Sequence, residues 1–209
     1  MAKILWQPDK KQIESAQVTG FRRRIIADFG VDLADYPALY EWSLKHPEAF
    51  WSALWDDAGV IAETKGDTLL KQGELMPGAQ WFPEARLNFA ENLLRRRDES
   101  DAIVFWGEDK VRRRLSYEEL YAQVSQVAQA LEGMGITEGD RVAGYLPNMP
   151  EAVIAMLAVA ALGATWSSCS PDFGVNGVVD RFGQIEPKVL FCAEGYYYNG
   201  KTFDCLEKV

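Results

Sequence analysis

Apolar positions along this chain fall into two textures. From about residue 101 onward, short apolar blocks bounded by Gly, Pro and charged turns alternate with longer stretches of helical spacing. Ala102–Trp106 and Val111–Leu115 read as two short strands around the turn Gly107-Glu108-Asp109. Ser116-x-x-Glu119 has the spacing of a capping box, with Leu115 and Leu120 placed for a hydrophobic staple. Tyr121, Val124, Val127, Ala128, Leu131 and Met134 then form one helical stripe, which Gly133 and Gly135 close. Arg141–Leu146 reads as a strand ended by Pro147, and Pro150 opens a helix that runs to Gly163. Residues Ala152–Leu162 are apolar on every side, which predicts a helix held between layers. A strand over Ala164–Ser168, a helix over about Val175–Ile185 ended by Pro187, and a strand over Val189–Cys192 follow. This β-α-β-α-β-α-β order predicts the α/β class: a parallel sheet with flanking helices.

The first region, residues 1–98, is irregular and Trp-rich, with Trp6, Trp42, Trp51, Trp55 and Trp81. Ser15 is placed to cap a helix through Phe29, ended by Gly30, with Val18, Phe21, Ile25 and Phe29 at helical spacing. Tyr36–Lys45 and Pro47–Asp56 predict two helices broken at Pro47, the second presenting Phe50, Trp51, Leu54 and Trp55 on one face. Thr68-Leu69-Leu70 is a candidate short strand. The polar stretch Arg95–Asp101 is the expected junction, giving a helical region 1–98 and an α/β subdomain 99–209.

Composition narrows the partners. The 209 residues are 48% hydrophobic and 25% charged, the balance of a folded globular protein. Lys plus Arg number 22 against 31 Asp plus Glu, a net charge of −9, which disfavours nucleic acid as a partner. Cys169, Cys192 and Cys205 show no C-x-x-C spacing, so reduced thiols in a cytoplasmic protein are expected rather than a disulfide framework or a zinc cluster. The amino-terminal dozen residues do not read as a secretory signal. The longest apolar run is well short of the ~20 residues a membrane span requires.

Parallel sheets bind ligands beyond the carboxyl ends of their strands. Those ends are predicted at Pro147-Asn148-Met149, Ser167–Gly174 and Ala193-Glu194-Gly195. The Ser167–Asp172 loop carries a thiol, hydroxyls and a carboxylate. A nucleophilic Cys169 needs a base, however, and the only histidine is the distant His46. The loop is read instead as a turn whose Ser and Asp side chains bond the backbone and cap the next helix. His46, alone and before a proline, is read as structural. The arginine triplets 22–24, 95–97 and 112–114 are flanked by acids and are read as solvated, salt-bridged faces. Tyr196-Tyr197-Tyr198-Asn199-Gly200-Lys201 combines aromatic faces, a turn and a cation. Stacking on a base with phosphate pairing and a plain hairpin with exposed tyrosines both fit it. No G-x-G-x-x-G, G-x-x-x-x-G-K-[ST] or other Ser/Thr/Gly-rich phosphate loop with a Lys occurs.

Several segments resemble the acyl-adenylate-forming ligases, in their acetyl-CoA synthetase branch. Gly139-Asp140-Arg141-Val142-Ala143-x-x-Leu146-Pro147-Asn148, then Glu151-Ala152 and the helix to Leu162-Gly163-Ala164, is shared widely in that family. Trp81–Leu94 is similar to the branch's N-terminal region, and Leu5-Trp6-x-Pro8 and Met76-Pro77-Gly78-Ala79-x-Trp81 fit it. Trp166–Gly174 with Asp180–Pro187 is more particular and resembles the acetoacetate–CoA ligases. The resemblance implies ATP, with magnesium, and coenzyme A as cofactors, and acetoacetate as the acid activated to an acyl-adenylate before thioester formation. It places the ATP loop, acyl pocket, hinge and adenylation lysine outside this segment. No catalytic residue and no metal ligand is therefore expected here, and the chain alone is expected not to be catalytically competent. It implies a coenzyme A edge at Tyr198, Asn199, Gly200 and Lys201, with Lys201 keeping one cation where the branch has two arginines. It adds a loop at Ser170, Pro171 and Asp172 lining the coenzyme A tunnel. A cytoplasmic location is expected, without membrane or nucleic acid, and with a dimer or partner chain possible through an exposed core face. The rival readings are a non-catalytic assembly module and a piece of another short-chain acyl-CoA synthetase.

Overall fold

The computed structural model describes residues 4–206, which form two compact units, one up to Leu87 and one from Asn88. In the first unit, α1 (Lys10–Ser15) starts at Asp9, whose side chain and Gln12 form a reciprocal capping box. That box makes the chain turn helical before Ser15, so the predicted Ser15 cap is corrected. Ser15 closes α1, and α2 (Gln17–Phe29) starts at Ala16 without a side-chain cap. Gly30 ends α2 at φ +64, where a side chain would be strained. Asp35 caps α3 (Tyr36–Lys45) by accepting from the Ala38 N–H at 2.9 Å, and Pro47 opens α4 (Pro47–Asp57). Phe21, Ile25, Leu33, Leu39 and Trp42 form the buried core of these helices. His46 lies at the α3–α4 junction with its ring 5.5 Å from that of Trp42, a structural position. The strands β1 (Leu70–Lys71) and β2 (Gln80–Trp81) pair antiparallel. Thr68 precedes them because its hydroxyl and N–H both donate to Glu84.

The second unit opens with α5 (Phe89–Leu93), capped by Asn88. Ala90 and Leu94 are buried in this unit's core, and the Asn88 amide donates to the Ala160 carbonyl at 2.9 Å. The division therefore falls before α5 and not at the polar stretch near residue 98, whose Arg96 and Asp98 pair with each other and whose Arg97 lies 3.7 Å over the Tyr121 ring. β3 (Asp101–Gly107) and β4 (Val111–Ser116) form an antiparallel hairpin. Ser116 and Glu119 make the expected capping box of α6 (Tyr117–Gly133), with Leu115 and Leu120 both buried. β5 (Arg141–Tyr145), α7 (Pro150–Ala161), β6 (Thr165–Cys169), α8 (Val175–Ile185) and β7 (Val189–Cys192) then build a parallel sheet of order β6-β5-β7. β8 (Gly195–Tyr198) and β9 (Lys201–Asp204) form a second antiparallel hairpin.

The predicted class holds, but the parallel sheet is smaller than expected, because the 111–116 strand pairs locally with β3 and does not join it. Closing a short turn costs little chain entropy, which favours the local partner. α7 packs on β5 and β6 on one side and on α5 and α6 on the other, as its all-round apolar surface requires. The Gly139-Asp140-Arg141 element pins the amino ends of the strands. Gly139 (φ +81) donates to the Gly163 carbonyl, the Thr165 N–H donates to Asp140 O at 2.7 Å, and the Lys188 N–H donates to Arg141 O at 2.8 Å. The Arg141 side chain donates to the Ile185 carbonyl. No described helix is long and apolar enough to cross a membrane.

Candidate functional site at the carboxyl edge of the sheet

An open cavity of about 810 Å³ lies at the opposite end of the strands, within the size range of small-molecule sites. Its floor gathers the three predicted strand ends: Pro147–Met149 after β5, Ser170–Asp172 after β6, and Ala193–Gly195 after β7. One wall is the β3–β4 hairpin through Phe105, Trp106, Glu108 and Arg113. The other is the β8–β9 hairpin through Tyr196–Tyr198, Phe203 and Asp204.

Tyr145 fixes the floor. Its ring is buried at the end of β5, and its hydroxyl donates to the Pro171 carbonyl at 2.8 Å and lies 3.1 Å from that of Phe173. Burial raises the pKa of this phenol, so it stays a donor. Ser170 donates to Asp172 Oδ2 at 3.0 Å and accepts from the Asp172 N–H at 3.3 Å. The Ser and Asp thus shape the turn as expected, but they do not cap α8, which starts at Gly174 with no side-chain cap. The chain between Asp172 and α8 is turned by Tyr145, which leaves both side chains on the cavity side. Asp172 Oδ1 accepts from the Tyr196 hydroxyl at 2.5 Å. That bond, with burial adding to it, pushes Tyr196 up to about 12. Cys169 is buried at the end of β6 and its thiol is raised by burial, the opposite of what a nucleophilic thiolate needs.

The β8–β9 hairpin turns on Asn199 (φ +50) and Gly200 (φ +72), with Tyr198 facing Lys201. Positive φ at both turn residues is the two-residue loop that Asn-Gly favours. Tyr196 stacks on Phe203 at 5.2 Å, and Tyr198 is 62% exposed. The two N–H groups at the tip are engaged. Asn199 N donates to Glu108 Oε1, and Gly200 N donates to Glu108 Oε2 at 2.9 Å. Of the residues singled out from the sequence, Ser170, Pro171, Asp172 and Tyr198 line the cavity. Asn199, Gly200 and Lys201 sit at the hairpin tip outside the lining. Sequence reading placed Asn148 at a ligand-facing strand end but gave Glu108 and Trp106 no role in the site; only the turn position of Glu108 was visible, and nothing tied it to residues some ninety positions later.

The arginine triplets are engaged as solvated faces. Arg23 pairs with Glu14, Arg24 with Asp57, Arg96 with Asp98, Arg113 with Glu151 and Arg114 with Asp101, while Arg112 lies 4.6 Å over Trp106. Charge in the cavity therefore leans acidic, with Glu108, Asp172, Glu194 and Asp204 against Arg113, itself paired. The lining is rich in aromatic side chains, with Phe105, Trp106, Tyr196, Tyr197, Tyr198 and Phe203. It offers no net positive charge to phosphates, so no phosphate step is assigned to these side chains.

The chain matches two family models: "Acetyl-coenzyme A synthetase N-terminus" over residues 36–93, and "AMP-binding enzyme" over residues 89–208. It is 51% identical over 205 residues to an acetoacetyl-coenzyme A synthetase of Rhizobium meliloti (strain 1021), covering 98% of this chain and 31% of that protein. It is 43% identical over 213 residues to an acetoacetyl-CoA synthetase of Xenopus tropicalis, covering 100% of this chain and 31% of that one. A solved structure of acetoacetyl-CoA synthetase from Streptomyces lividans superposes with a TM-score of 0.91 at 42% identity, covering 99% of this chain and 32% of that chain. The chain thus spans about a third of the length of the relatives it matches, and with more than half of its residues inside the family model and the α/β fold it requires, it belongs to the AMP-binding enzyme family.

Proposed function

We propose that the chain is the amino-terminal portion of an acetoacetate–CoA ligase. In the whole protein, acetoacetate reacts with ATP and magnesium to give an acyl-adenylate and pyrophosphate. The coenzyme A thiol then displaces AMP to give the thioester. The portion described here contributes the carboxyl edge of the first parallel sheet and part of the coenzyme A edge, in a cytoplasmic enzyme. The observation that carries this reading is the cavity where the ends of β5, β6 and β7 meet two aromatic hairpins, in a chain 51% and 43% identical to two acetoacetyl-CoA synthetases over 98% and 100% of its length.

Adenylation needs cationic and hydrogen-bonding groups preorganised around the departing pyrophosphate. The cavity lining carries an acidic excess instead, so the 209-residue chain alone is catalytically silent. The test is pyrophosphate release from acetoacetate, ATP, magnesium and coenzyme A. No turnover above background is expected from the isolated chain, and robust turnover refutes the reading. Lys201 supplies one cation to the coenzyme A phosphates. Calorimetry with coenzyme A should show Lys201→Ala weakening binding by about threefold to tenfold, the size of one partly solvated charged contact. Equal binding by both proteins removes Lys201 from the site.

A second reading, an assembly module that completes its sheet with a partner chain, draws on one observation. Among the described residues β6 and β7 each pair on one side only, which leaves two open sheet edges. A stable dimer or a co-purifying partner chain in solution would favour it.

A further inference from the structure

The β8–β9 hairpin is outside the parallel sheet, yet it forms one whole wall of the cavity. An isolated two-stranded hairpin is marginal in water, so its placement depends on what pins it. Its base is held by the Cys205 N–H donating to Glu194 O at 2.9 Å and by Tyr196 on Asp172. Among the described residues, the side chain that holds its tip N–H groups is Glu108, from the opposite wall.

Three features make this contact specific. Glu108 is itself in the left-handed region (φ +54), in the turn where the Lys110 N–H donates to Gly107 O, so its backbone direction is set by the β3–β4 hairpin. Both carboxylate oxygens are used, one on each of two successive N–H groups. Those N–H groups belong to the two turn residues, which the cross-strand ladder leaves without a partner. A carboxylate on consecutive amides is the geometry by which backbone holds an anion, and here the anion is supplied within the chain.

We propose that Glu108 is a positioning residue of the cavity: a latch that ties the tip of the β8–β9 hairpin to the β3–β4 hairpin and so holds the Tyr197–Tyr198 wall in place for an incoming ligand. The latch rests on these bonds; only the choice of coenzyme A as the probe rests on the function proposed above. Removing the carboxylate frees the tip amides to water while leaving β5 and its neighbours intact.

The test is residue-resolved amide hydrogen exchange on the 209-residue chain, with coenzyme A calorimetry in parallel, for wild type, Glu108→Ala and Glu108→Gln. In Glu108→Ala the Asn199 and Gly200 amides should exchange about tenfold faster or more, as expected for lost bonds to a charged acceptor. Val142–Tyr145 amides should not change, and coenzyme A affinity should fall. Glu108→Gln, which keeps the size and one acceptor, should fall between. Unchanged exchange at Asn199 and Gly200 overturns the latch, and so does a released tip with undiminished coenzyme A affinity. Faster tip exchange in a chain whose wild type does not bind coenzyme A supports the latch and counts against the ligand reading alone.

Discussion

Replacing Tyr196 by Phe removes one oxygen from the base of the β8–β9 hairpin and leaves its ring stacked on Phe203. The lost bond is a 2.5 Å contact to the Asp172 carboxylate. Its strength can be bounded through the phenol's titration, which the bond to Asp172, with burial adding to it, lifts from 10.0 to about 12. That rise corresponds to at most about 2.7 kcal/mol. The pair sits on an open cavity wall, where solvent screens it, so about 1 kcal/mol is the working figure. The neutral phenol is the form that donates, and its folded value lies above its ordinary one. The contribution is therefore full below about pH 10 and is lost as pH rises through about 12. At neutral pH, Tyr196→Phe should speed exchange of the β8–β9 amides by about fivefold, the equivalent of 1 kcal/mol. The difference in tyrosinate absorbance between wild type and Tyr196→Phe should titrate near 12, and the same difference in an Asp172→Asn background should move back toward 10. A hairpin whose exchange is indifferent to Tyr196→Phe, or a difference titration already near 10 in the wild type, would refute the claim that Asp172 and Tyr196 hold this wall.

Other consequences are as direct. Asp140 is held down to about 2, first by Lys188 at 2.6 Å and then by the Thr137 N–H, so its contribution is present above about pH 4 and is lost between there and pH 2. Asp140→Asn should flatten the acid limb of a urea-midpoint profile over that window and leave the alkaline side alone. A methyl added at Gly144 in β5 would lie 2.5 Å from the Trp166 indole on the neighbouring strand, so Gly144→Ala should cost about 1–3 kcal/mol in urea unfolding. A thiol reagent should modify Cys192 quickly in the native chain and Cys169 and Cys205 only on unfolding, since the first is exposed and the others are buried.

Local elements were legible because their signals are local. Asn199-Gly200 reads as a two-residue turn because both residues tolerate positive φ. Ser116 and Glu119 read as a cap because the two partners are three residues apart. Pro47 and Pro150 mark helix starts because a missing N–H does no harm there. Failures occurred where two local signals competed or where the pattern outran its element. The Asp9–Gln12 box pre-empted Ser15. Met134, placed on the buried stripe by spacing, is 67% exposed because α6 ends at Gly133, and Ile136 fills the core position instead.

The sequence by itself determined the alternation of strands and helices, the burial of α7 between layers, and the family, because period, capping and short motifs are written in neighbouring residues. Only the tertiary structure decided that β3 and β4 stand apart from the parallel sheet, that α5 belongs to the second unit, and that Glu108 reaches the tip at Asn199 and Gly200. Those outcomes depend on which distant surfaces meet once the chain has folded. A single carboxylate in a turn carries no mark of the partner that packing will bring to it.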